Sequence, residues 1–132
     1  MRVLVDTSVW SLALRKGGPA DHPKARQLAR LLSEDQDLFL TGIILQEILQ
    51  AFRAETTFRR VEKHLQPFPL LRLDRRGFVE AACIYRRSVS KGVAVSTVDC
   101  EIAATAIRNE CLLLTADKDF ERMARFCDLK LL

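Results

Sequence analysis

The sequence contains no apolar stretch approaching the roughly 18 residues that a membrane span requires. Its opening residues, Met1-Arg2-Val3-Leu4-Val5-Asp6, lack the long apolar region and small-residue cleavage site of a signal peptide. Together these absences lead us to expect a cytoplasmic protein with no membrane attachment. Zinc-ribbon and thioredoxin-type spacings are missing as well. None of Cys83, Cys100, Cys111 and Cys127 is separated from another by only two residues. Cys83, Cys100 and Cys111 sit in apolar surroundings and read as buried free thiols. There is no internal repeat, low-complexity segment or linker, and the one loop-like stretch, Gly17-Gly18-Pro19, is too short to divide domains.

What is present fits a single compact domain over residues 1–132. Hydrophobic residues make up 48% and charged residues 29%, ordinary values for a globular protein with its own core. Lys and Arg number 21 against 17 Asp and Glu, a net charge of +4, and the pI is about 9.1. Such a surface favours a polyanionic partner such as nucleic acid, and the indication gains weight only if the basic residues surround an acidic site with a chemical purpose.

Short apolar runs alternate with helical patterns. Arg2–Val5, Leu38–Leu40, Leu70–Leu73, Leu112–Leu114 and Leu129–Leu131 read as strands. Helices are expected over Ser8–Leu14, from an Asp21 cap with Pro23 in the first turn to about Leu32, over Ile43–Phe52 behind Thr41, and over Thr56–Leu65. A long helix follows from an Asp74 cap to Lys91, with Gly92 in the C′ position. Another runs from Ser96 or Thr97 to about Asn109, and a short one spans Phe120–Arg125. Val93–Val95 fits a strand or a loop equally well. The alternation argues for an α/β fold with a mostly parallel sheet covered on both faces.

Four acids stand out on this frame. Asp6 follows the first strand directly and Asp117 lies just past Leu112–Leu114, both at carboxyl ends, where open parallel sheets bind ligands. Asp is also a common turn residue after strands. Glu47 shares a helical face with Ile44, Ile48 and Ala51, which places a carboxylate in an apolar stripe. A charge there needs a partner, a metal, or a route to water at the stripe's edge. Asp99 shares a face with Ile102, Ala103, Ala106 and Ile107, in a first helical turn that also favours Asp through capping and the dipole. Gathered together, these acids would repel one another without a cation. Hard divalent ions take oxygen ligands, and one or two of them can activate water and neutralise a phosphodiester. Arg53, Arg59, Arg60, Arg86, Arg87 and Lys91 are candidates for a basic rim that holds a nucleic-acid backbone, although each also fits a solvated helix face.

These residues resemble the PIN-domain ribonucleases, and among them the VapC toxins of bacterial toxin–antitoxin pairs. The matching motifs are Val3-Leu4-Val5-Asp6-Thr7-Ser8-Val9-Trp10, Glu47 within Ile44-Leu45-Gln46-Glu47-Ile48-Leu49, Asp99-Cys100-Glu101-Ile102-Ala103-Ala104, and Leu113-Leu114-Thr115-Ala116-Asp117-Lys118-Asp119-Phe120. The set, in this order, covers nearly the whole chain. The resemblance implies a three-layer α/β/α fold with a five-stranded parallel sheet in the order 3-2-1-4-5. It implies one or two Mg²⁺ or Mn²⁺ ions at Asp6, Glu47, Asp99 and Asp117, endonucleolytic hydrolysis of RNA by metal-bound water, a homodimer, and inhibition by a small antitoxin bound beside the site. Ser8 and Thr115 are expected to support the site, with Asp119 also in a supporting place but close enough to share or take the role of Asp117. A basic antitoxin residue would face the acids, with apolar anchors near Trp10 and Phe52.

Two other classes compete. A non-catalytic RNA-binding or scaffolding module would keep the fold alone, against which all four acids speak. An aspartyl-phosphate hydrolase would begin with a strand and Asp-x-Asp, and here the third position is Ser8.

Overall fold

The computed structural model describes residues 1–15 and 21–132, so the Gly17-Gly18-Pro19 stretch lies outside the described residues. The elements run β1 (Arg2–Val5), α1 (Thr7–Leu14), α2 (Pro23–Ser33), β2 (Asp37–Thr41), α3 (Gly42–Gln50), α4 (Glu55–Leu65), β3 (Leu70–Leu71), α5 (Arg75–Ser90), α6 (Thr97–Arg108), β4 (Leu112–Leu114) and α7 (Lys118–Met123). A 3₁₀ turn, Ala124–Phe126, follows α7. The strands form one parallel sheet in the order β3-β2-β1-β4.

Val3, Leu4 and Val5 are fully buried, as are Leu113 and Leu114. Continuous apolar strands of this kind are what a parallel sheet covered on both faces demands. Right-handed crossovers send the helices moving one way across the sheet to one face and those returning to the other. The contacts agree: α1 packs on α2 and α3, α3 on α4, and α5 on α6. The order reverses at β1, which lies between β2 and β4, so the crevice that such sheets use for ligands opens at the ends of β1 and β4.

The expected fifth strand is reduced to one parallel bridge between Leu131 and Leu113. The Leu113 N–H donates to the Lys130 carbonyl at 2.9 Å, and the Leu132 N–H donates to the Leu113 carbonyl at 3.0 Å. It occupies the fifth place in the expected order, outside β4. The reason is geometric. β4 has three residues, and the backbone groups of alternate residues point to opposite neighbours. Leu114 serves β1, its carbonyl accepting from the Asp6 N–H, which leaves Leu113 to face outward.

Capping explains most helix starts. Thr41 Oγ1 accepts from Ile44 N–H, Asp74 Oδ1 from Gly77 N–H, and Ser96 Oγ from Asp99 N–H. The cap of α2 is His22 rather than Asp21, its Nδ1 accepting from Lys24 N–H. Gly92 has φ +75°, the left-handed conformation that closes α5. Val93–Val95 is a loop, and β3 ends at Leu71. All four cysteines are free. Cys83 is only half-buried, whereas burial pushes the Cys100 thiol up to about 11. No helix among the described residues is long and apolar enough to cross a membrane.

Candidate metal centre

Asp6 occupies the N-cap position of α1 but makes no side-chain cap. Its carboxylate is held from the side. Ser8 Oγ donates to Asp6 Oδ2 at 2.7 Å and Thr115 Oγ1 donates to the same oxygen at 2.9 Å. Both hydroxyls are themselves fixed by backbone, because Ser8 Oγ accepts from Ala116 N–H and Thr115 Oγ1 from Asp117 N–H, each at 3.0 Å. Each hydroxyl has one proton, and both protons point at Oδ2. Asp6 is only 6% exposed and Thr115 7%, so the Thr115 bond lies out of water and, with the part-buried Ser8 bond, fixes the carboxylate's orientation. The clamp ties the end of β1 to the turn after β4. Oδ1 receives no bond among the described residues and is the oxygen left for a cation.

Asp99, Asp117 and Asp119 converge beside it, each offering a carboxylate oxygen within 4.8 Å of the others. Asp99 is pushed up to about 6, first by burial, then by the charges of Asp117, Asp6 and Asp119, with the Ser96 hydroxyl acting the other way. Asp6 therefore belongs to the same field. Asp117 also caps α7, its Oδ1 accepting from Asp119 N–H at 2.9 Å, so the residue serves the turn while its carboxylate lies among the acids. Asp119 Oδ1 accepts from Arg122 at 2.9 Å. Asp119, expected in a supporting place close enough to share or take the role of Asp117, has its carboxylate beside those of Asp99 and Asp117.

Glu47 stands apart from this trio. Its Oε1 accepts from Thr7 Oγ1 at 3.0 Å, across from α1. Thr7 adjoins Asp6, so Glu47 borders the site through one hydroxyl. Ile44 and Ile48 beside it are buried as expected, but Ala51 is exposed. Thr7 escaped the sequence reading. Its signal was there in Asp6-Thr7-Ser8, two successive hydroxyl side chains that a helical start directs to different faces.

The basic residues are dispersed. Arg53, Arg60 and Lys91 are exposed. Arg59 pairs with Glu55 at 2.9 Å within α4, and Arg87 donates to the Phe126 carbonyl. Arg86 lines a groove between α5 and α6. No ion pair among the described residues joins any of the six to the clustered acids. Trp10 is core, 4% exposed with its ring 5.4 Å from Phe68, whereas Phe52 lines a groove of about 280 Å³ with Ser11, Leu14, Arg15, Ile48 and Ala51.

The donor set fits a hard divalent ion: every candidate atom is a carboxylate oxygen, and their mutual repulsion is relieved by a cation. Comparison with known proteins identifies the family. The PIN domain family matches residues 3–126. Ribonuclease VapC11 of Mycobacterium tuberculosis is 34% identical over 131 residues, 97% of this chain and 96% of the relative. The crystal structure of VapBC2 from Rickettsia felis bound to a DNA fragment from their promoter aligns with TM-score 0.78 at 16% identity, covering 100% of this chain and 98% of that one. That of Mycobacterium tuberculosis VapC20, a toxin that cleaves the sarcin–ricin loop, aligns with TM-score 0.67 at 16% identity, covering 97% and 98%. At these identities the two structures speak to the fold, and the sequence relative and the family match speak to descent. The chain belongs to the PIN-domain family and, within it, to the VapC ribonucleases.

Proposed function

We propose that this chain is the toxin of a toxin–antitoxin pair, an endoribonuclease that hydrolyses RNA phosphodiester bonds with Mg²⁺ or Mn²⁺. Asp6, Asp99 and Asp117 hold the ion or ions, with Glu47 at the edge and Asp119 able to share the place of Asp117. The observation that carries this reading is the convergence of Asp99, Asp117 and Asp119 within 4.8 Å in the field of Asp6. Protein charges gathered this closely need a cation or a proton.

A divalent ion bound there supplies Lewis acidity, acidifying a water and neutralising phosphate charge. The chain's own residues prepare the ground. Ser8 and Thr115 fix Asp6 so that no reorientation is needed when a ligand arrives. Thr7 steadies Glu47. Asp99, whose carboxyl burial and neighbouring acids push up to about 6, is favoured as an anion by a cation beside it. Arg53, Arg59, Arg60, Arg86, Arg87 and Lys91 supply long-range attraction for an RNA backbone that bare acids would repel.

An unrestrained ribonuclease is harmful, so the same reading includes an antitoxin. The groove beside Phe52, between α1 and α3, takes its apolar anchors, and a basic residue from it faces the acids. Self-pairing belongs to the reading too, and light scattering across micromolar concentrations reads it.

The test is cleavage of a broad RNA panel with Mg²⁺ and with EDTA, by wild type and by Asp6→Asn. Losing the partners behind a ligand costs about 10- to 100-fold, and losing the ligand itself should exceed that while the fold is kept. A folded Asp6→Asn protein with full activity contradicts the proposal. Binding without metal-dependent cleavage across the panel favours the RNA-binding module instead.

A further inference from the structure

We propose that Arg122 grips the RNA phosphate that enters the acidic site, giving up its bond to Asp119 for one to a non-bridging phosphate oxygen. This rests on the ribonuclease reading and adds a substrate-binding residue to it. Arg122 lies outside the six basic residues that the sequence offers as a rim.

Placement is the first observation. α7 is pinned by Phe120 and Met123, both fully buried, and by the bond from Asp119 N–H to the Asp117 cap. Residues one turn apart share a helical face, so Asp119 and Arg122 stand together. Arg122 Nη1 donates to Asp119 Oδ1 at 2.9 Å. Asp119 in turn offers a carboxylate oxygen within 4.8 Å of those of Asp99 and Asp117. Of the ion pairs among the described residues, this one alone reaches the clustered acids.

Access is the second. The Arg122 side chain is 55% exposed and that of Asp119 40%, so a ligand at the cluster reaches the pair from solvent. A guanidinium carries several N–H donors in a planar fork, and Arg122 engages a described partner through Nη1 only. Its other donors are available to a second anion. The fork suits phosphate as well as it suits carboxylate.

The charge balance of the site is the third. An exposed pair of this spacing adds little to stability, so the fold has no need of it. RNA, however, must bring a polyanion up to carboxylates that repel it. Once the acids hold a cation, Asp119 no longer depends on the guanidinium for counter-charge, and Arg122 turns to the substrate.

The test uses an RNA that the wild type cuts at one mapped bond. Cleavage by wild type, Arg122→Gln and Arg122→Lys is followed at saturating Mn²⁺ over a range of salt. Mn²⁺ affinity, by magnetic resonance, and melting temperature are recorded on the same samples. Arg122→Gln should lower kcat/KM about tenfold, chiefly through KM. Its plot of log kcat/KM against log salt should flatten by about 0.7, the share of one phosphate contact on a single strand. Arg122→Lys keeps the charge without the fork, so it should regain the salt slope and only part of the KM. Mn²⁺ should bind Arg122→Gln at least as tightly as wild type, because a positive charge has left the cluster. The melting temperature should not move.

Unchanged KM and salt slope in Arg122→Gln, with wild type active, overturn the phosphate contact and leave the ribonuclease reading standing. Mn²⁺ affinity that falls in step with cleavage also overturns it, since Arg122 would then only hold Asp119 in place. So does a lower melting temperature, or a Lys variant whose slope is as flat as that of Gln. Wild type that cuts no RNA with any divalent ion removes the ribonuclease reading and the contact with it.

Discussion

Asp6 and Asp99 face the same site but are held in opposite ways. Asp6 is nearly buried, and two hydroxyls donate to one of its oxygens. Asp99 is half-buried, and burial together with neighbouring acids drives its carboxyl up to about 6. Protein donors already orient one carboxylate. The other waits for a positive charge from outside. A metal centre benefits from both kinds: a ligand that is already oriented gives geometry, and an unsatisfied one gives affinity and pH sensitivity.

The comparison breaks most visibly at Asp99. Asp99→Asn should cut RNA cleavage more than about 100-fold, above the effect of losing a ligand's partner, yet stabilise the metal-free protein near neutral pH. The sign follows from the raised value. A carboxyl at about 6 when folded and near 3.9 when unfolded adds stability below the lower value and loses it as pH rises through the upper one. Removing its charge should return about 1 to 2 kcal/mol near pH 7, allowing for the solvent screening of a half-exposed group. Melting curves of wild type and variant at pH 5 and 7.5, without metal, check this. A variant less stable than wild type at both values would contradict it.

A smaller change sharpens the other side. Thr115→Val keeps the volume but takes a donor from Asp6 and an acceptor from the Asp117 N–H. Activity should fall about 10- to 100-fold, and stability by about 1 to 3 kcal/mol for the orphaned groups. Equal activity and an unchanged melting temperature would show that Ser8 alone suffices to hold Asp6.

Much of this was legible beforehand, for reasons that particular residues make clear. Val3-Leu4-Val5 announced a buried parallel strand because both its faces are covered, and Asp6 stood at its end. The caps Thr41, Asp74 and Ser96 are local signals, read within three residues. The Asp6 clamp was only partly visible. Ser8 and Thr115 were expected as supports, but their meeting on one oxygen spans 107 residues of chain and depends on β1 lying beside β4. Glu47 showed its apolar stripe but not its Thr7 partner, which comes from another helix. Asp119 was read as close enough to share the role of Asp117, and its carboxylate beside Asp99 and Asp117 depends on the first turn of α7. The fifth strand thinned to a bridge because β4 offers a single outward residue, a property of register that composition does not record.

The most direct test is a titration of Mn²⁺ into wild type, Asp6→Asn, Asp99→Asn, Asp117→Asn and Glu47→Gln near pH 7.5, with bound ion followed by its magnetic resonance signal and RNA cleavage measured on the same samples. The account predicts that cleavage rises in step with occupancy in wild type, that each Asp variant loses both together, and that Glu47→Gln, at the edge of the cluster, loses less affinity than the other three. Cleavage that persists in EDTA, or Mn²⁺ binding that all four substitutions leave unchanged, would contradict it.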